Sequence, residues 1–181
     1  MNALFKRTES KYWFAYNARI YLRKLVLDDA PFIQVLTNEP GWLEYIGDRN
    51  IHNVHDAERF LKQGPLRTYK THGFGMYIIM DRFTHEPIGL CGLLQRSYLD
   101  APDLGFAVSK VHWRNGYAYD AAELVLSNIH TLTKSDRVYA SAKHQNTKSQ
   151  SLLKKLGFRL LDEPLKIPSE PETFALFCKS V

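Results

Sequence analysis

Residues 111–126, reading VHWRNGYAYDAAELVL, turn a loop directly into an amphipathic helix with Gly116 at the joint, and this stretch constrains the rest of the chain most. From Ala118 onward, Ala118, Ala121, Ala122, Val125, Ile129 and Leu132 recur at steps of three, four and seven. That spacing predicts one buried face of a helix about 15 residues long. A face of that kind must lie on a sheet. Gly116 has no Cβ, so the main-chain amides of Arg114, Asn115, Gly116, Tyr117 and Ala118 can gather at the positive end of the helix dipole. Such an end takes phosphate, although an ordinary loop-to-helix turn reads the same way.

The segments before and after it alternate between sheet and helix. Residues 19–25 carry Ile20, Leu22 and Leu25 against Arg19, Tyr21, Arg23 and Lys24, the pattern of a half-buried first strand. Asp28 or Asp29 then caps a helix through Ala30, Ile33, Leu36 and Thr37 that Pro40 and Gly41 end. A second amphipathic helix spans residues 54–69, with a kink or stop at Gly64-Pro65. Two apolar strands, 74–80 and 88–94, flank the hairpin loop DRFTHEP, and a third strand covers 104–108. After the central helix come strands at 138–142 and 174–178, with a helix at 146–156 between them. Antiparallel strands followed by strand-helix-strand-helix-strand give an α+β fold with a mixed, mostly antiparallel, twisted sheet of about six to seven strands flanked by helices.

The 181 residues, 45% apolar and 13% aromatic, suit a single domain over 1–181, with a basic extension at 1–18 and a core at 19–179. The net charge of +5 lies at one end: residues 1–24 hold six Lys/Arg against one Glu, and the remainder holds eighteen against eighteen. So local an excess does not make a nucleic-acid-binding fold. No stretch resembles a signal peptide or a membrane span, and Cys91 and Cys178 read as buried free thiols in a reducing cytoplasm. His52 and His55 lack a third ligand, so no metal is expected, and neither cysteine has a base at a meaningful spacing.

About 30 residues beyond Gly116 stands NTKSQSLLKKLGFRLLD, in which Asn146 caps a short helix, Leu152, Leu153 and Leu156 form its buried stripe, and Gly157 ends it. The pair of segments, W-R-N-G-Y-A and then N-T-x-S with L-x-x-L-G-F, resembles the GCN5-related N-acetyltransferases, and among them the branch of ribosomal-protein N-terminal acetyltransferases. The likeness covers roughly residues 20–178. Departures accompany it. Trp113 holds the first position of the phosphate loop, as is usual in that branch, while Arg114 and Asn115 fill positions that are often glycine and a basic residue, and Leu153 stands where many members carry a tyrosine general acid.

What the resemblance implies is a cleft for acetyl-CoA between two splayed central strands and direct transfer to a primary amine in a ternary complex. By it, the main chain of Phe106, Ala107 and Val108 receives the pantetheine arm and thioester, the loop of Trp113, Arg114, Asn115, Gly116, Tyr117 and Ala118 holds the pyrophosphate, and Asn146 and Ser149 touch the coenzyme. Ser149 is the best hydroxyl for the departing thiolate, with ordinary first-turn backbone bonding as its rival role. Asp103 and Glu44 compete as general base, and Trp42, Glu44 and Tyr45 line the acceptor cleft together with residues 162–173. Asp103, beside Pro102, also reads as a solvated turn acid. The acceptor favoured by the branch is a protein N-terminus, ribosomal included; the alternatives are a small amine such as an amino acid, polyamine or antibiotic, or a non-catalytic acyl-CoA-binding module. A monomer or homodimer is expected, without nucleic acid or membrane.

Overall fold

The structure, a computed structural model, describes residues 13–168 and 170–181. Among the described residues nine strands make one sheet: β1 (Ala15–Tyr16), β2 (Ile20–Lys24), β3 (Met76–Asp81), β4 (Pro87–Leu94), β5 (Asp103–Val108), β6 (Arg137–Lys143), β7 (Arg159–Leu160), β8 (Leu165–Lys166) and β9 (Thr173–Ser180). Their order is β1-β2-β3-β4-β5-β6-β9-β7, with β8 pairing β9 off that path. Every pairing is antiparallel except β5 with β6. The helices are α1 (Ala30–Thr37), α2 (Pro40–Tyr45), α3 (Val54–Gln63), α4 (Pro65–His72), α5 (Tyr117–Ser127), α6 (Ile129–Leu132) and α7 (Thr147–Lys155).

Each face of the sheet is covered by helices. On one, Ala121, Ala122 and Val125 of α5 and Leu153 of α7 pack with Ile20, Leu22, Ile79, Ile88, Leu104, Val138 and Phe177. On the other, Ile33 and Leu36 of α1, Trp42 of α2, and Ala57 and Leu61 of α3 cover Tyr21, Ile78 and Leu90. This second layer corrects the reading of β2 as half-buried, because Tyr21 is fully enclosed and Arg23 is 8% exposed. Arg23 survives burial through a bidentate pair with Asp29, at 2.9 and 2.7 Å. Asp29 also accepts the Val26 N–H, so the carboxylate expected to cap α1 is spent on β2 and the preceding turn.

Other differences have local causes. The long second helix is two, because Pro65 cannot continue α3 but suits the first turn of α4. The central helix stops at Ser127 and restarts at Ile129, with the Asn128 side chain donating to the Leu124 carbonyl in place of a continuous ladder. β1, β7 and β8 have two residues each, too short to carry a period, which accounts for nine strands rather than six or seven. Part of the expected N-terminal extension belongs to the sheet, since β1 pairs β2 and Trp13 stacks on Tyr21; residues 1–12 lie outside the described part. Cys91 is buried as expected, whereas Cys178 is only half-buried. No helix among the described residues is long and apolar enough to cross a membrane.

The parallel pairing positions the site. β5 and β6 share one rung, Asp103 opposite Tyr139, with the Tyr139 N–H bonded to the Pro102 carbonyl at 2.8 Å. Beyond it the two strands part. Asp103 and Leu104 are buried, and the next four residues of β5 become partly exposed.

Candidate active site

The gap between β5 and β6 is lined by main chain. β5 pairs with β4 in unbroken register from Asp103–Leu94 to Val108–Gly89, and the Ser109 N–H continues the ladder to the Ile88 carbonyl at 2.9 Å. Main-chain groups alternate in direction along such a ladder. Those of Gly105 and Ala107 therefore turn to β4, and those of Phe106 and Val108 turn into the gap. Of the three residues expected to present backbone there, Ala107 does not, because its polar groups belong to the β4–β5 ladder.

At the open end of the gap lies the loop into α5. Gly116 sits at the helix N-cap with φ +81°, a left-handed conformation that explains the glycine, and Arg114 adopts φ +64° at some cost in strain. The first helical bond runs from the Asp120 N–H to the Gly116 carbonyl, and no side chain caps the helix. The amides of Tyr117, Ala118 and Tyr119 are thus left at the positive dipole end for an anion. Arg114 is exposed and makes no hydrogen bond or ion pair among the described residues.

Arg19, just before β2, supports this loop from behind. Its Nη2 donates to the Asn115 carbonyl at 2.7 Å, its Nη1 is 3.4 Å from Asp120, and its guanidinium lies over the Tyr117 ring at 4.5 Å. Pairing Asp120 in this way offsets an acid that would otherwise oppose an anion in the first turn. Trp113 spends both of its N–H groups within the protein, the main-chain one on the Lys110 carbonyl at 3.2 Å. Its indole N–H donates to the Val108 carbonyl at 2.6 Å, and the Lys148 ammonium lies 5.6 Å from its ring centre. That last contact spans the mouth of the gap from β5 to α7.

On the β6 side, the Asn146 side chain accepts the Ser149 N–H at 3.1 Å and caps α7. The Ser149 hydroxyl has no partner within the described residues and stays available. Leu153, at the place of the missing tyrosine acid, is 1% exposed and belongs to the core.

Asp103 departs from the solvated-turn expectation. It is 4% exposed at the vertex where the strands part, its Oδ2 lies 3.3 Å from Arg96 Nε, and its Oδ1 is buried without a partner. Burial raises its pKa from 3.8 to about 6, with Arg96 pulling the other way. The alternation that turns Leu104 to the α5 layer turns Asp103 to the side of α1–α3, the layer that includes α2. There the expected acceptor residues divide: Trp42 is buried in the second core, Tyr45 is half-buried, and Glu44 is exposed, raising the Tyr45 pKa through their hydrogen bond. Glu44 and Asp103 are not brought into contact. Sequence reasoning missed Arg19, Glu39, Arg96 and Lys148; the first three lie in no motif and Lys148 is the variable position of N-T-x-S, so only their charge was visible, and charge without distance carries no assignment.

Against known proteins, residues 19–159 match the model of the acetyltransferase (GNAT) domain. The uncharacterized N-acetyltransferase YjdG of Bacillus subtilis strain 168 is 34% identical over 111 residues, 58% of this chain and 63% of that protein, so the match spans under two thirds of the relative. Among solved structures, an acetyltransferase from Agrobacterium tumefaciens strain C58 superposes with a TM-score of 0.76 at 21% identity, covering 92% of this chain and 93% of the other. A ribosomal-protein-S5-alanine acetyltransferase from Vibrio fischeri gives 0.75 at 18% identity, covering 93% and 96%. With its splayed strand pair, glycine-led helix N-terminus and this family match, the chain belongs to the GNAT acetyltransferases, whose acyl donor is acetyl-CoA.

Proposed function

We propose that the protein transfers the acetyl group of acetyl-CoA to the primary amine of a protein or peptide N-terminus by direct attack. The observation that carries this is Asp103, a buried carboxylate with its pKa raised to about 6, at the point where β5 leaves β6 and the main chain of Phe106 and the N–H of Val108, whose carbonyl is taken by the Trp113 indole, turn into the gap. A base with a pKa near neutrality beside unpaired amide donors is what amine acylation requires. The chain offers seats for each part of the donor: the free amides of Tyr117, Ala118 and Tyr119 with Arg114 for the pyrophosphate, Phe106 and Val108 for the arm, and Asn146 and Ser149 beside it. Bound acetyl-CoA supplies an activated thioester. Asp103, directly or through a water, takes the proton of the acceptor ammonium so that the nitrogen lone pair is free. A main-chain N–H of β5 would polarise the carbonyl oxygen, and as the C–S bond breaks the Ser149 hydroxyl would pass its proton to the departing sulfur and regain one from the acylated nitrogen.

The N-terminal acceptor is supported by the sequence resemblance to ribosomal-protein acetyltransferases and by the aromatic, acidic character of Trp42, Glu44 and Tyr45 on α2. Measuring CoA release with a panel of short peptides, free amino acids and polyamines tests it. Turnover confined to peptides with free N-termini is expected; turnover on polyamines alone removes the peptide reading, and acetyl-CoA binding without turnover on any amine makes the protein a binding module.

A further inference from the structure

The acid at the start of α2 is not used by its own helix. Glu39 occupies the N-cap position, yet its carboxylate makes no cap bond to α2. Instead Oε1 accepts the Ser109 hydroxyl at 2.5 Å and Oε2 accepts the Lys110 N–H at 2.7 Å, both immediately past the end of β5. Two residues on, Gly41 lies against the face of Trp113. A Cβ at position 41 would stand 2.5 Å from Cζ2 and 2.7 Å from Cη2 of that ring, so the indole can reach the Val108 carbonyl only because residue 41 has no side chain. Three contacts from residues 39–41 thus hold residues 108–113, the exit of the splayed strand and the entry to the anion loop.

We infer that Glu39 and Gly41 are positioning residues that clasp α2 to the cofactor loop, so that filling the gap and fixing the acceptor wall are one event. This rests on the reading that acetyl-CoA occupies the gap. A carboxylate that accepts two donors across 70 residues of sequence is a fixed strut, and two charge-assisted bonds resist independent movement of the segments. The pyrophosphate loop cannot shift at Trp113 without moving either the indole off Val108 or α2 itself.

Hydrogen exchange on the full chain, with and without acetyl-CoA, tests the inference alongside calorimetric binding. In the unaltered protein, acetyl-CoA should slow exchange in residues 109–118 and also in 40–45. Glu39→Ala should speed exchange at Lys110 in the free protein, weaken acetyl-CoA about 10-fold and abolish the protection of 40–45. Glu39→Gln should restore all three, since its amide oxygen accepts the Lys110 N–H and its amide nitrogen donates to the Ser109 hydroxyl. Gly41→Ala, which displaces the ring without touching the carboxylate, should reproduce the weakened binding and the lost protection of 40–45 while leaving exchange at Lys110 slow, and decides the matter if Glu39→Ala does not fold. In both variants the acceptor KM should rise more than kcat falls. Protection confined to 109–118 in the unaltered protein, or unchanged affinity in both variants, overturns the clasp. If acetyl-CoA does not bind the unaltered protein, the cofactor reading fails, and the clasp then stands or falls on the free-protein exchange at Lys110.

Discussion

The two walls of this site are made of different material. The proposed cofactor wall is main chain: the gap-facing groups of Phe106 and Val108 and the open amides at the head of α5, kept in place by side chains from elsewhere, among them Arg19 against Asn115 and Asp120. The proposed acceptor wall is side chain, with Asp103 buried at the seam and, on α2, Trp42 buried, Tyr45 half-buried and Glu44 exposed. A wall of amides can be kept while its side chains vary, because every residue but proline offers the same group. A wall of side chains changes its substrate whenever it changes its residues.

Substitutions can break this contrast in order of effect. Asp103→Asn removes the one carboxyl among the described residues whose pKa is raised and should lower kcat/KM about 1000-fold, erasing the rising limb near pH 6 in a pH–rate profile. Its effect on stability should have the opposite sign. A carboxyl whose folded pKa is raised stabilises the fold fully below its unfolded value of 3.8, and that contribution is lost as pH rises through about 6. The difference corresponds to at most about 3 kcal/mol. Thermal melts should therefore find the Asn variant more stable than the parent at pH 7, and a lower melting temperature for it at that pH would show that the Arg96 pair outweighs desolvation.

On the cofactor wall, Gly116→Glu should cost acetyl-CoA about 100-fold in affinity by calorimetry, combining left-handed strain with a carboxylate near the anion seat. Arg19→Ala deletes nothing that faces the gap, yet should weaken binding about 10-fold by freeing the loop and leaving Asp120 unpaired. The smallest effect should come from Glu44→Gln. Exposed on α2, it should raise the acceptor KM no more than about 3-fold and leave kcat and acetyl-CoA affinity alone. A large kcat effect there would move the base from Asp103 to Glu44.

Legibility in the sequence follows the same division. Gly116, the α5 stripe and the Asn146 cap were readable because each is a local pattern of spacing, and the structure places the turn and the cap at those residues. Asp103 was not readable as a buried acid. Its environment comes from β4, β6 and Arg96, and beside Pro102 it has the local signature of a turn. Ala107 failed for a subtler reason, since a strand's register decides which way alternate carbonyls point and no residue type announces it. Tyr21 and Arg23 looked solvent-facing because a period-2 pattern assumes one wet face, which helices α1 to α3 take away.

The single rung between β5 and β6 also bears on cooperativity. Strands β1 to β5 form one ladder and β6 to β9 another, and the sheet joins them only at Asp103 and Tyr139 among the described residues. Elsewhere the two ladders are held together by apolar packing beneath α5, which lacks the directional geometry of hydrogen bonds. Parting them over the length of the gap breaks one rung, whereas separating any of the long antiparallel neighbours breaks a full ladder. Local opening along this seam therefore breaks fewer sheet hydrogen bonds than opening between any of the long antiparallel neighbours, and leaves both half-sheets paired within themselves.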